Sequence, residues 1–383
     1  MWKVPLFDLG YDHREEEAVM AVLKSRWLTA GPKTKEFEDN FAEYLGNQAQ
    51  CCAVSNGTAG LHLALIIAGV GPGDEVILPG LTFVSDLNVV EMTGATPVLA
   101  DSKSLTDWNV SPKDIATKIT PQTKALIIVH YAGYPCDMDE LLALCRQNNI
   151  LLIEDVAHAI GGTYQGKKCG TLGDMAFFSF FSNKNLAVGE GGMFVSRNGD
   201  YAKQAALLRS HGMTSLTIDR HEGKTISYDV VRCGLNYRFD EIRAALGIVQ
   251  LEKLKNNNRK REELVKHYIE GLADIDELTI PWQTLPADRT SAFHIFPVLL
   301  PHHADRNDFM TFLKERGIQT SIHYPAFVQF SHYRTKIKER LDIAEDIADR
   351  VVTLPLYPDM TVAILSQVTG AMKEYFNLQK RTA

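Results

Sequence analysis

No uninterrupted apolar run in this chain is long enough to cross a bilayer, so no membrane-spanning helix is expected. Positive charge is also in short supply. Lys and Arg number 40 against 47 Asp and Glu, and the net charge of −7 provides no basic field for nucleic acid. The six cysteines, at 51, 52, 136, 145, 169 and 233, form no CxxC pair, so neither a zinc site nor a disulfide framework is indicated. Reduced thiols in a cytoplasmic protein are the matching expectation. The N-terminus, MWKVPLFDLGYDHREEE, turns acidic early and lacks the apolar core of a signal peptide. Internal repeats and low-complexity segments are missing too. What is present is a soluble globular balance, 45% hydrophobic and 23% charged, over 383 residues, enough for about two domains.

The periodicity predicts helices over 13–25 and over 35–45, the second with Phe37, Phe41 and Leu45 on one face. Between them, residues 27–32 (WLTAGP) break the pattern. From residue 51 onward, apolar runs alternate with helical patterns: 51–54, 75–78, 97–100, 125–129, 150–153, 175–181 and 193–195. Continuous Val/Ile/Leu runs between helices imply strands covered on both faces, hence an α/β fold with a largely parallel sheet. Functional groups in such sheets sit just past the carboxyl ends of the strands.

Several chemistry-bearing residues fall at those ends. Phe177–Met193 reads FFSFFSNKNLAVGEGGM, an apolar run ending in a lone lysine, Lys184. Desolvation there lowers an ammonium pKa, and a neutral amine attacks carbonyls; taken alone, the stretch also fits a solvated turn lysine. Residues 55–65 read SNGTAGLHLAL, turn residues opening an apolar helix. Free N–H groups and the macrodipole make such a start an anion site, with Gly57, Ala59 and Gly60 admitting a phosphate and Thr58 adding a hydroxyl; an ordinary capped helix is the bland alternative. Phe83 falls in a loop after 75–78, either packed in a core or presenting a ring face. Asp155 follows LLIE as the N-cap of a further helix or as a site acid. His158 lies three residues on, and His130 follows ALIIV. A phosphate cradle, a flat aromatic, an acid and a Schiff-base-capable lysine, in that order, form a kit for holding pyridoxal phosphate.

Beyond 195 the pattern predicts a helix over 197–212, a polar surface loop over 213–229 and a long helix over 239–271 with a charged second half. A domain boundary is placed inside that helix, dividing a large cofactor-binding α/β domain, 1–250, from a small α+β domain, 251–383. The latter is expected to hold strands over 292–300, 319–323 and 351–354 and helices over 306–316, 342–350 and 361–376.

The motifs SNGTAGLHLAL (55–65), PGDEVILPGLTFV (72–84), GATPVLAD (94–101), IEDVAHAIGG (153–162), FSFFSNKNLAVGEGGM (178–193) and GLNYRFDEIRAA (234–245) resemble the DegT/DnrJ/EryC1/StrS family of sugar aminotransferases, of pyridoxal phosphate fold type I. The resemblance covers nearly the whole chain. It implies that Lys184 forms the Schiff base, Asp155 pairs with the pyridine nitrogen and Phe83 stacks on the ring. It places His158 near the cofactor's phenolic oxygen and Ser179 on the phosphate beside Thr58 and Ala59. Asn236 matches an asparagine that reaches the phosphate from a neighbouring subunit, implying a homodimer with shared sites. Thr29 and His323 match positions near the sugar. Lysine at 184 favours transamination, because family dehydratases carry histidine there. The implied reaction moves an amino group from glutamate to a nucleotide-linked ketosugar, with C4 of a 4-keto-6-deoxyhexose as the leading assignment. Amination at C3 or of a ketocyclitol, or a non-catalytic regulatory role, are the alternatives. Ser182 in place of a frequent proline, and residues 131–135 and 327–330, depart from the family pattern.

Overall fold

The computed structural model describes residues 2–215, 218, 221, 223–337 and 339–382. In chain order its elements are α1 (His13–Ser25), α2 (Pro32–Tyr44), β1 (Gln50–Val54), α3 (Gly57–Ile67), β2 (Glu75–Pro79), α4 (Val84–Met92), β3 (Thr96–Ala100), α5 (Pro112–Lys118) and β4 (Thr123–Val129). Then come α6 (Met138–Asn148), β5 (Leu151–Asp155), β6 (Thr163–Tyr164), β7 (Lys167–Lys168), β8 (Met175–Ser179), β9 (Gly192–Ser196), α7 (Gly199–Leu208) and α8 (Glu241–Leu272). The remainder is β10 (Arg289–Thr290), β11 (Phe296–Leu299), α9 (Arg306–Glu315), α10 (Asp342–Arg350), β12 (Val351–Leu354) and α11 (Val362–Thr382).

The large sheet has the order β1-β9-β8-β5-β4-β2-β3. The pairs β3/β2, β2/β4, β4/β5 and β5/β8 are parallel, while β9 runs against both β8 and β1. Its strands are apolar over most of their length because both faces are covered. In β4, Ala125 and Ile127 pack with α3 and α4, whereas Leu126 and Ile128 pack with α5 and α6. In β8, Met175 and Phe177 face the first of these cores, and Ala176 and Phe178 face the aromatic cluster of α2 and α8. A mixed α/β architecture with a mostly parallel sheet flanked by helices is therefore present, as the alternation of apolar runs implied.

Helix α8 starts where Asp240 caps it, accepting the Arg243 N–H at 2.9 Å. Its Ala244 and Leu254 lie in the aromatic core of the large sheet. Leu264, Val265, Tyr268 and Leu272 belong to a second core with α9, α11 and the antiparallel pair β11/β12. Among the described residues, no helix is long and apolar enough to cross a membrane.

Some expected elements differ. Helix α2 begins at Pro32, because Gly31 serves as its N-cap and proline at the first helical position forfeits no helical hydrogen bond. The strand expected over 292–300 starts only at Phe296. Upstream, Ala292 and His294 donate their N–H groups to Gly133 and Ala132 carbonyls at 2.9 Å each, and Phe293 turns left-handed at φ 47°. No strand forms over 319–323; isolated bridges from Ile318 to Val4 and from Ser321 to Thr353 take its place. Part of the polar loop expected over 213–229, namely 216, 217, 219, 220 and 222, lies outside the described residues.

Candidate active site

The carboxyl ends of β1, β2, β4, β5 and β8 converge on one cavity of about 620 Å³. Gly57, Thr58, Ala59, Phe83, Asp155, His158, Ser179, Lys184 and His323 all line it. Most of these positions are separated by tens of residues in sequence, and the parallel sheet brings them together.

Lys184 sits on the connection between β8 and β9. That connection is fastened at both ends: Phe180 donates its N–H to Gly191 at 2.8 Å, and Val188 donates back to Phe180 at 2.9 Å. Arg243 adds a cross-brace, donating to the carbonyls of Ser55 at 3.1 Å and Glu190 at 2.8 Å. Lys184 keeps part of its surface toward the cavity, yet desolvation lowers its pKa from 10.5 to about 8, against the opposing pull of Asp155 and Asp86. About a tenth of the amine is therefore neutral at pH 7, far more than for an ordinary lysine.

Asp155 ends β5 with only 5% of its surface exposed. Burial pushes its pKa up to about 6, opposed by the Ala157 N–H, Lys184 and His130. No helix follows it. Its Oδ1 accepts the Ala157 N–H at 2.7 Å, which closes a turn and leaves Oδ2 for a ligand. Its neighbour Glu154 faces the opposite side of the strand and accepts the N–H groups of Gly170, Leu172 and Gly173 at 2.7–2.8 Å. His130 joins that group, 3.0 Å from Glu154 Oε2, and does not line the cavity.

His158 Nδ1 accepts the Ala132 N–H at 3.3 Å, so its proton is on Nε2, 2.9 Å from Tyr324 Oη. Burial, reinforced by Lys184 and His323, holds its pKa well below the usual histidine value. His158 is therefore a neutral donor facing the cavity. Phe83 is 52% exposed, and its ring lies 5.6 Å from that of Tyr324. A core phenylalanine would be covered, whereas this one offers a face to the cavity.

At the start of α3, the Ala59 N–H is taken by its cap, Asn56 Oδ1, at 2.8 Å. Helix geometry leaves Gly57 and Thr58 as the first-turn donors for an anion. Gly60 stands apart from them. A Cβ there would lie 3.0 Å from Phe177 Cβ, so its smallness serves packing on β8 and not the cavity. Gly192 also keeps this corner compact, since a Cβ on it would meet the Asn56 carbonyl at 2.6 Å and Gly57 N at 2.8 Å. Gly192→Ala is expected to destabilise the fold by about 1–3 kcal/mol. It should also weaken retention of a phosphate-bearing ligand, measured as a lower Tm with a raised Kd.

Thr29 and Asn236 do not line the cavity of their own chain. Thr29 follows Leu28, whose carbonyl accepts the Glu241 N–H at 3.1 Å, and Asn236 is bridged to Ser210. Sequence reasoning missed Tyr324, Thr82, Asn183 and Tyr237, all in the lining. It also missed Asp86, buried beneath the cavity with Thr82 Oγ1 donating to it at 2.6 Å. An acid three residues past Phe83, in the first turn of a helix, was the available signal for Asp86.

A desolvated lysine, a buried acid on a strand end and an open helix N-terminus, on a mostly parallel sheet, define a fold type I site built for pyridoxal phosphate. The residues fit that group: an anion end, a flat face and an acid opposite. Residues 11–373 match the DegT/DnrJ/EryC1/StrS aminotransferase family, and the chain belongs to it. Among solved structures, the aminotransferase TlmJ from Streptoalloteichus hindustanus is 34% identical, with TM-score 0.91 over 99% of this chain and 100% of that one. DesV of S. venezuelae is 31% identical, with TM-score 0.89 over 98% of this chain and 99% of its own. Streptococcus pneumoniae Spr1654 in its PLP form is 27% identical, with TM-score 0.88 over 98% and 97%. The protein is a pyridoxal-phosphate-dependent sugar aminotransferase. The regulatory, non-catalytic alternative is thereby set aside.

Proposed function

We propose that the enzyme moves an amino group from L-glutamate to a nucleotide-linked ketosugar, most specifically to C4 of a 4-keto-6-deoxyhexose. The observation that carries the reading is Lys184 and Asp155 in one cavity with the start of α3, the amine lowered to about 8. When bound, pyridoxal phosphate supplies an electrophilic carbon and a ring that withdraws electrons from the reacting carbon. The remaining work falls to the chain. The Gly57 and Thr58 N–H groups and the Thr58 and Ser179 hydroxyls hold the phosphate. Asp155 would keep an oxygen for the ring nitrogen's proton, Phe83 would cover a ring face, and His158, whose Nε2–H meets Tyr324 Oη, would lie near the phenolic oxygen. Lys184 Nζ, once neutral, would take the proton from the donor's Cα and hand it to the cofactor's reacting carbon, and after the 2-oxo acid has left it would carry a proton from that carbon to the acceptor carbon. C4 and the nucleotide follow the family's most frequent chemistry.

The placement of Thr29 and Asn236 outside their own chain's cavity supports a homodimer with shared sites. We retain two domains, 1–250 and 251–383, joined within α8, and a cytoplasmic location. A panel of 4-keto and 3-keto UDP-, dTDP- and GDP-sugars with glutamate, read by mass, tests the substrate reading. Amination of a 4-keto-6-deoxy sugar nucleotide is expected. Product only from 3-keto sugars or from a ketocyclitol would replace the C4 assignment.

A further inference from the structure

A second, far smaller void lies beside the Lys184 connection, about 10 Å³ in volume. Asn183 and His323 line both this void and the main cavity, and His294, Thr353, Leu6 and Leu354 complete much of its wall. Two buried polar atoms on its lining residues have no hydrogen-bond partner among the described residues: Asn183 Oδ1 and His294 Nε2. His294 itself is only 2% exposed.

The hydrogen-bond network determines what these two atoms need. Asn185 Nδ2 donates to the Ala292 carbonyl and to Asn258 Oδ1, at 2.8 Å each, which fixes its amide orientation. Its Oδ1 is therefore the acceptor for His294 Nδ1, 2.9 Å away, so that nitrogen carries the proton. Burial holds the His294 pKa well below the usual histidine value, with His158, Lys184, Arg261 and His323 adding to the effect. Nε2 is then a bare lone pair, and Asn183 Oδ1 is an acceptor as well. Two buried acceptors on residues that line one void are satisfied together by a donor of two hydrogens. An unpaired buried acceptor is costly, and a void of this size holds one water.

We infer that a single water molecule occupies this void, donating one hydrogen to Asn183 Oδ1 and the other to His294 Nε2, and that His294 is thereby a positioning residue for Lys184. His294 is well anchored for that role. Its N–H donates to Ala132 at 2.9 Å, its carbonyl accepts from Arg261 Nη1 at 3.0 Å, and its ring lies 4.5 Å from that of His158. The link ties Asn183, the residue preceding the reactive lysine, to a segment of the C-terminal half. The positioning role rests on Lys184 being the reactive amine; the water itself does not.

The test uses the cofactor-loaded enzyme. A crystal structure that resolves waters should show one within hydrogen-bond distance of both atoms. Nitrogen NMR of labelled histidine should report His294 in the Nδ1–H form across the neutral pH range. His294→Leu should lower kcat about tenfold with little change in KM for glutamate. His294→Gln, which can place an amide oxygen near the Nε2 position, should recover most of the loss. Lys184 Nζ found on these two acceptors, an empty void, or a protonated Nε2 overturns the inference, as does equal loss in both variants. An enzyme inactive on every ketosugar, but showing the water and the tautomer, overturns the substrate reading alone.

Discussion

Lys184→Ala is expected to lower kcat for amino transfer by ~10³-fold or more, since it removes the nucleophile and the base together. The same change should abolish covalent retention of cofactor on the peptide containing residue 184 after borohydride reduction, measured by mass. Folding should survive, because the lysine is held in place by its backbone: its N–H donates to Phe181 at 2.8 Å, and that bond is independent of the side chain. The wild-type pH dependence follows from the same amine. With a pKa lowered to about 8, Lys184 sheds its proton as pH rises through that value, so the rate of cofactor capture by the cofactor-free protein should climb toward a plateau above it. An alanine variant that turns over at the wild-type rate would remove Lys184 from the chemistry.

Asp155→Asn should reduce kcat by ~10²–10³-fold, the scale of losing one preorganised charge partner in a dry site. The substitution is isosteric, and the amide oxygen still accepts the Ala157 N–H. Stability should move the other way. Burial raises the Asp155 pKa from 3.8 to about 6, so the folded cofactor-free protein binds this proton more tightly than the unfolded chain. That contribution is fully present below pH 3.8 and is lost as pH rises through about 6, which leaves a buried anion at neutral pH. Asparagine removes the penalty, so the cofactor-free variant should melt higher than wild type above pH 6, by about 3 kcal/mol at most. The two proteins should converge in acid. A variant that loses both activity and Tm would make Asp155 a structural residue, whereas opposite signs identify a functional one.

The strands of the large sheet were legible because burial on both faces leaves a nearly continuous apolar run; 75–78, 125–129 and 150–153 announce themselves that way. The lysine, the acid and the cradle were legible because each follows such a run. What escaped depends on partners far away in sequence. The segment before Phe296 reads as strand, but Gly133 and Ala132 claim its hydrogen bonds. Of the two readings of Asp155, helix cap or site acid, the cap fails because the chain turns after it and no helix forms. Gly60 reads as part of the cradle, although its missing side chain makes room for Phe177. Tyr324 and His294 carry no local signal at all; their placement beside His158 is visible only once the C-terminal half has folded onto the sheet.

The reversed direction of β9 has a mechanical consequence. Because the strand after Lys184 turns back along its predecessor, the lysine rides on a closed loop of backbone pinned at both feet, unlike a lid that hinges open. Its reach is then the sweep of one side chain about a stationary post, so every reagent must be carried to the amine and only torsions about its own methylenes bring it to them.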